Sequence, residues 1–280
     1  PAFTSTRMFL FLNQVADEVT RVYPRYTLLV LAYFQTAEPP KCPVHPAIVP
    51  QFAPYVRVND KNPIFAPENL VWLDRLRRWR TKCPRITMYG YNSLGLAFPK
   101  PLCHTHKRDF REFYQYVEGI GAEGTSMQWG DEIDGRKTQI TLWDYSAIEF
   151  WVMCKLYWNP EQDVEQLYKQ FIYRTYREAA RPMEQFFGAL REEFYRSRSA
   201  TTIGDNPVAL TQNYILRTGR EAEMRGRLEE ASALVRHPTS AELIRRLRER
   251  FEFYIAAAKN IKTPSASLPL LRVDGVPGFE

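Results

Sequence analysis

The sequence contains no apolar run approaching the ~18 residues that a membrane-spanning helix needs; its longest early stretch, Thr27 to Phe34, has the length of a strand. It has no Gly-rich phosphate loop and no Gly-x-Ser-x-Gly nucleophile elbow, which sets aside P-loop and dinucleotide enzymes and the α/β-hydrolases. The four cysteines, Cys42, Cys83, Cys103 and Cys154, form no Cys-x-x-Cys pair, so neither a zinc ribbon nor a redox motif is indicated; free buried thiols are the expectation. Internal repeats and low-complexity segments are also missing. No charged region and cleavage site precede the helical periodicity of Leu12, Val15, Ala16, Val19 and Val22, and residue 1 is not Met, so a fragment or processed product is expected.

What is present suffices for a buried core: 280 residues, 45% hydrophobic and 14% aromatic, a composition that excludes a disordered chain. The net charge of +6 raises the question of nucleic acid, and Arg75, Arg77, Arg78, Arg80 and Lys82 form a basic run. That run shares a helix with the apolar stripe Leu73, Leu76 and Trp79, so it reads as a solvated outer face, and no nucleic-acid partner is expected.

Over residues 1–140 helix-like and strand-like segments alternate. A helix over about Ser5 to Val22 precedes the strand Thr27 to Phe34, which has no polar alternation and should be buried on both faces. A second strand is expected at Tyr55 to Asn59, then a helix from Pro67 to Lys82, a strand at Arg85 to Tyr89, a helix from Lys107 to Glu118 and a fourth strand at Gly124 to Trp129. Four such strands imply parallel pairing with right-handed crossovers. Four cannot close an eight-stranded barrel, so the remaining strands are expected from upstream sequence or another chain.

From Thr141 onward strands are expected to give way to helices over 141–262, followed by a loose tail over 263–280. Thr141 to Trp158 is rich enough in large apolar residues to be buried on most sides, and core packing is the expectation for Trp143, Trp151 and Trp158. Asn159, Pro160 and Glu161 form a cap, first-turn proline and first-turn acid for the next helix; Pro182 interrupts it, and a final pair spans about Pro207 to Val235 and Ser240 to Asn260.

In a parallel β/α sheet, function gathers past the carboxyl ends of the strands. Candidates there are Tyr33, Gln35, Asn59, Asp60, Tyr89, Tyr91, Asn92, Gln128 and Trp129, with Asp131, Glu132 and Asp134 after the fourth strand. Aromatic rings that cover a pyranose face and amides that bind its hydroxyls suit a carbohydrate ligand. Glycoside hydrolysis needs a carboxyl pair, for which Glu132 and Asp131 are the candidates; alternatively, that segment is a polar loop whose acids are solvated or cap a helix. His104 and His106 are placed in a loop as sugar contacts, as metal ligands if a third converges, or as ordinary loop residues. Tyr89 and Tyr91 belong either to a core layer or to a ligand contact. No cofactor or metal is assigned.

Phe11 to Val19, the Tyr23-Pro24 turn, Leu31 to Thr36 with Pro39 and Pro40, the strand end Tyr89 to Asn92, the junction Lys155 to Val164 and the segment Tyr173 to Met183 together resemble the DUF4838 family. The family is similar to the family 67 α-glucuronidases, which implies the C-terminal half of a (β/α)8 barrel followed by helices. The resemblance also implies a bacterial, secreted or periplasmic protein that hydrolyses or binds a polysaccharide. Gly90 and Gln128 stand where an acidic residue is expected. A Gln cannot act as general acid or base, so either Glu132 supplies that function or the protein binds sugar without cutting it.

Overall fold

Helix-forming and strand-forming segments alternate along the first part of the chain, and in a computed structural model they assemble into a small parallel sheet with helices. The structure describes residues 2–54, 59–90, 100–122, 132–133, 136–137, 143–202, 205 and 207–260. The chain divides into two compact units, one of Pro1–Ser93, Asp109–Glu123 and Leu268–Glu280, the other of Leu94–Arg108 and Gly124–Ser267. The architecture is mixed α/β and mostly helical.

In the first unit, β1 (Leu28–Ala32), β2 (Ile48–Phe52), β3 (Thr87–Gly90) and β4 (Ile120–Ala122) form one sheet in the order β1-β2-β3-β4. Every pairing is parallel, with Leu28 opposite Ile48, Gln51 opposite Thr87 and Met88 opposite Ile120. Two helices serve it, α1 (Ala2–Val22) and α2 (Leu70–Lys82). Helix α2 buries Trp72, Leu73, Leu76 and Trp79 at helical spacing. The Trp79 indole N–H donates to the Ala37 carbonyl at 2.9 Å, and its ring lies 5.3 Å from that of Phe9 on α1. The basic face of α2 is ion-paired: Arg75 reaches Glu38 at 2.6 Å and Arg78 at 2.8 Å. Buried polar fasteners hold the loops. The Asn69 amide donates to the carbonyls of Asn59, Asn62 and Pro63, and Asp109 accepts the Ile64 N–H at 2.7 Å.

Several expectations move. The second strand lies at Ile48–Phe52, inside the proline-rich stretch; residues 55–58 fall outside the described residues and Asn59 is in a turn region. Pro50 is tolerated there although it gives no N–H to the sheet. The fourth strand is Ile120–Ala122, just before the segment expected, and 124–129 lies outside the described residues. Strand β1 is not buried on both faces: Leu29 and Leu31, two apart and so on one face, are exposed, and β1 pairs with β2 alone among the described residues.

The second unit contains α4 (Trp143–Trp158), α5 (Val164–Tyr176), α6 (Ala180–Arg196), α7 (Pro207–Thr211), α8 (Glu221–Leu234) and α9 (Pro238–Lys259). Helix α3 (Cys103–Phe113) contributes its first residues to this unit and the remainder to the first. Strands do not stop after Trp129: β5 (Glu132–Ile133) and β6 (Arg136–Lys137) form a short antiparallel hairpin. The cap of α5 is Asp163, whose carboxylate accepts the Gln166 N–H at 2.9 Å, while Asn159 accepts the Glu161 N–H in a turn before it. The break before α6 falls at Arg177, at φ 50°, and Pro182 sits harmlessly in the first turn of α6. The expected single helix from Pro207 to Val235 is divided by a π-helical turn at Gln212–Leu216 and by Gly219 at φ 73°.

Aromatic pairs fill the helical core: Phe186 packs on Phe251 at 5.9 Å and Phe194 on Tyr214 at 5.2 Å, beside Leu102 and Leu210. Helix α4 is less buried than its composition suggests. Ile148, Val152, Met153 and Leu156 are buried, whereas Trp158, expected in the core, is 90% exposed at its carboxyl end. The four thiols are unbridged, but only Cys83 and Cys103 are buried; Cys42 is half-buried and Cys154 exposed.

Candidate functional site

Two places in the described chain concentrate polar and aromatic chemistry. The first is the carboxyl end of β1, where the strand runs into a 3-10 turn at Phe34–Thr36. Phe34 holds φ 44°, a left-handed conformation that a bulky L-residue adopts only at a cost of about 1–2 kcal/mol. Thr36 secures the turn: its hydroxyl accepts the Tyr33 N–H at 3.0 Å and shares its own hydrogen between the Leu31 and Tyr33 carbonyls. Tyr33 and Phe34 stack edge-on with centroids 4.1 Å apart. The result is a rigid aromatic pair at the sheet's carboxyl edge, with Phe34 and Gln35 exposed and Tyr33 half-buried.

The second place lies in the helical unit. Buried Glu149 accepts from the Tyr168 hydroxyl at 2.6 and 2.7 Å, and the Cys103 thiol donates to the Glu149 backbone carbonyl at 3.3 Å. The Arg191 guanidinium lies 4.1 Å from the centroid of the Tyr168 ring, a cation–π contact, and reaches Glu165 at 3.0 Å. Glu165 also meets His104 Nε2 at 2.8 Å, and the His104 ring stands edge-on to Tyr195. Burial pushes the Glu149 carboxyl above its ordinary value, opposed by the hydrogen bond from Tyr168. Burial likewise raises the Cys103 thiol and the Tyr168 hydroxyl well above theirs. A thiol held protonated in this way is a poor nucleophile, so the cluster ties α3, α4, α5 and α6 together and does not supply an attacking sulfur.

The sequence candidates separate accordingly. Tyr33 and Gln35 come together at the first place, and Tyr89 lies half-buried on β3 of the same sheet. Asn59 is a turn residue: its side-chain oxygen accepts the Lys61 N–H and its carbonyl accepts from Asn69. His104 and His106 lie on α3 and not in a loop; His104 joins the Glu165 contact, and His106, two residues on, is buried. Glu132 opens β5, opposite Lys137. Tyr91, Asn92, Gln128, Trp129 and Asp131 lie outside the described residues. Among the described residues no three His, Cys, Asp or Glu side chains are placed to hold a metal ion.

Sequence reasoning missed Phe34, whose signal is conformational, and Glu149, an acid in the otherwise apolar run Ile148 to Met153. A lone carboxyl in such a run implies a buried partner. It also missed Arg191 and Tyr168, because nothing in sequence separation shows that α5 and α6 bring them together.

No curated protein and no solved structure matches the chain. The family described as Domain of unknown function (DUF4838) matches residues 2–188. That span runs from α1 into α6, and it takes in the aromatic pair after β1 as well as Cys103, Glu149 and Tyr168. The chain therefore belongs to the DUF4838 family.

Proposed function

We propose that the chain acts on carbohydrate: the carboxyl edge of its parallel sheet grips sugar as the C-terminal half of a (β/α)8 barrel related to the family 67 glycoside hydrolases, and carboxylate acid–base chemistry hydrolyses a glycosidic bond. The observation that carries this reading is the end of β1. Holding Phe34 in a left-handed conformation is costly, and what the cost yields is an exposed aromatic ring and an exposed amide beside Tyr33 where parallel sheets place ligands. A flat ring stacks on the C–H face of a pyranose, and the amide of Gln35 donates to and accepts from its hydroxyls. Glu132 and Asp131 are the acids assigned to hydrolysis on sequence grounds, and a carboxylate from the preceding half of the barrel completes the pair.

Binding without cleavage is a second reading, favoured by one observation. Glu38, the acid that follows β1, is engaged by both Arg75 and Arg78, which leaves aromatic and amide groups as the exposed chemistry of that strand end.

Titration calorimetry with glucuronoxylan oligomers, alongside hydrolysis of a panel of aryl glycosides, tests both. Phe34→Ala is expected to weaken oligomer binding about fivefold to tenfold, the loss of roughly 1 to 1.5 kcal/mol of stacking. Turnover that disappears in Glu132→Gln with binding retained supports hydrolysis. Binding without product in any variant supports the second reading. Unchanged affinity in Phe34→Ala and Gln35→Ala sinks the sugar site.

A further inference from the structure

Trp158 is the most exposed large apolar side chain among the described residues, at 90%. It closes α4. Seven residues earlier on the same helix stands Trp151, half-buried, with its ring 5.8 Å from that of Phe171 on α5. Seven residues make nearly two turns, so both indoles leave the same side of α4, about 10 Å apart along its axis. Cys154 and Lys155 lie between them on that side and are exposed, whereas Val152, Met153 and Leu156 carry the opposite side into the core.

The backbone beneath Trp158 is braced. The Gln162 side-chain amide donates to the Lys155 and Asn159 carbonyls at 2.7 and 3.1 Å, and the Lys107 ammonium on α3 donates to the Gln162 carbonyl at 2.8 Å. A helix end tied in this way presents its last side chain from a fixed point, as a preformed binding surface requires. The setting of the two rings is polar and of mixed charge. The Lys155 ammonium lies 5.3 Å from the centroid of the Trp151 ring, and exposed Glu161 and Asp163 follow in the turn.

We propose that the outer face of α4 is a second carbohydrate-binding site, where Trp151 and Trp158 stack on alternate rings of a neutral, extended β-1,4-linked glycan. The proposal rests on the carbohydrate reading above and extends it to a long, uncharged chain. Two features identify the ligand. In a β-1,4-linked chain with a two-fold screw, every second ring presents the same face, at an interval close to the separation of the two indoles. A pyranose also combines an apolar C–H face with hydroxyls at its rim, which matches indoles set among an ammonium and amides. Glu161 and Asp163 disfavour an anionic lipid surface or another polyanion, and the polar surroundings lack the apolar core of a protein interface. The contact of an exposed ammonium with an indole is weak, so the sugar displaces Lys155 from Trp151 and its hydroxyls accept from the freed ammonium.

Titration calorimetry with cellobiose and cellohexaose tests the spacing. Cellobiose reaches one indole at a time and cellohexaose reaches both, so the longer sugar is expected to bind about tenfold more tightly. Trp158→Ala should bring cellohexaose down to the affinity of cellobiose, with far-ultraviolet dichroism and the thermal midpoint unchanged, and Trp158→Phe should restore most of the difference. Cellohexaose should also shield Trp158 from quenching by acrylamide. Equal affinity for the two sugars, or cellohexaose binding unchanged in Trp158→Ala, overturns the proposal. So does a shift of Trp158 emission on phosphatidylcholine vesicles with none on cellohexaose, which makes the face a membrane contact. A concentration-dependent dimer that Trp158→Ala abolishes also overturns it and makes the face a contact between copies. Cellohexaose binding that Trp158→Ala weakens and Phe34→Ala leaves intact keeps this site while the one after β1 fails; the reverse pattern keeps the other and removes this one.

Discussion

Helices α2 and α6 both bury an aromatic stripe, yet the stripes are held differently. In the first unit Trp79 is fixed by a hydrogen bond from its indole to a loop carbonyl, and the loops around it are held by Asn69 and Asp109. In the second unit Phe186 and Phe194 meet rings from other helices, and a buried polar cluster joins Glu149, Tyr168 and Cys103. A core built from short strands and long loops has many backbone groups to satisfy, so polar fasteners carry much of its specification. A helix satisfies its own backbone, which leaves side-chain shape to fix how helices pack.

Trp79→Ala should break the first arrangement most severely, costing about 3–5 kcal/mol in chemical denaturation, because a fully buried indole and its hydrogen bond are lost together. Exchange measured by residue should show that loss in the strands β1 to β4; equal loss of protection in α5 and α6 would refute the contrast between the units. Tyr168→Phe should cost about 1–3 kcal/mol, since Glu149 keeps its burial and loses its donor.

The same carboxyl gives the helical unit a pH dependence. With its folded value raised, Glu149 keeps its proton in the native state over a range where the unfolded chain has released it, so stability falls as pH rises from the ordinary carboxylate value toward the raised one. Glu149→Gln should flatten the stability profile over that window in thermal melts, converging on wild type at lower pH. A profile unchanged by the substitution would show that Glu149 is ionised throughout. Gly219→Ala should cost about 1–2 kcal/mol from backbone strain alone, since an added Cβ there meets nothing within 4 Å; a neutral result would mean that the π-helical turn before it absorbs the change. Smallest is Asp163→Ala at about 1 kcal/mol, read from the thermal midpoint; no loss would mean that α5 does not depend on its cap.

Parallel alternation and the apolar stripe of α2 were legible because they depend on spacing within one segment. The strand positions were less so. Ile48 to Phe52 contains Pro50 and sits among prolines, so local propensity argued against it, and pairing with β1 and β3 overrode that preference. The cap of α5 moved from Asn159 to Asp163 because Pro160 to Gln162 form a turn, and two plausible capping residues four apart cannot be ranked from sequence alone. Of the candidate site, Tyr33 and Gln35 were found by their place after a strand. Phe34 was not, because nothing in the letters Tyr-Phe-Gln announces a positive φ.

The thiols give the molecule a built-in reporter. Cys83 and Cys103 are enclosed, and burial raises both, Cys83 to about 11. Cys154 stands exposed on α4, its thiol raised by partial burial and drawn back down by Lys155. A maleimide fluorophore at mildly alkaline pH should therefore settle on Cys154, and on half-buried Cys42 unless that residue is replaced by serine. The helical unit then carries a single dye beside Lys155, with no new cysteine introduced.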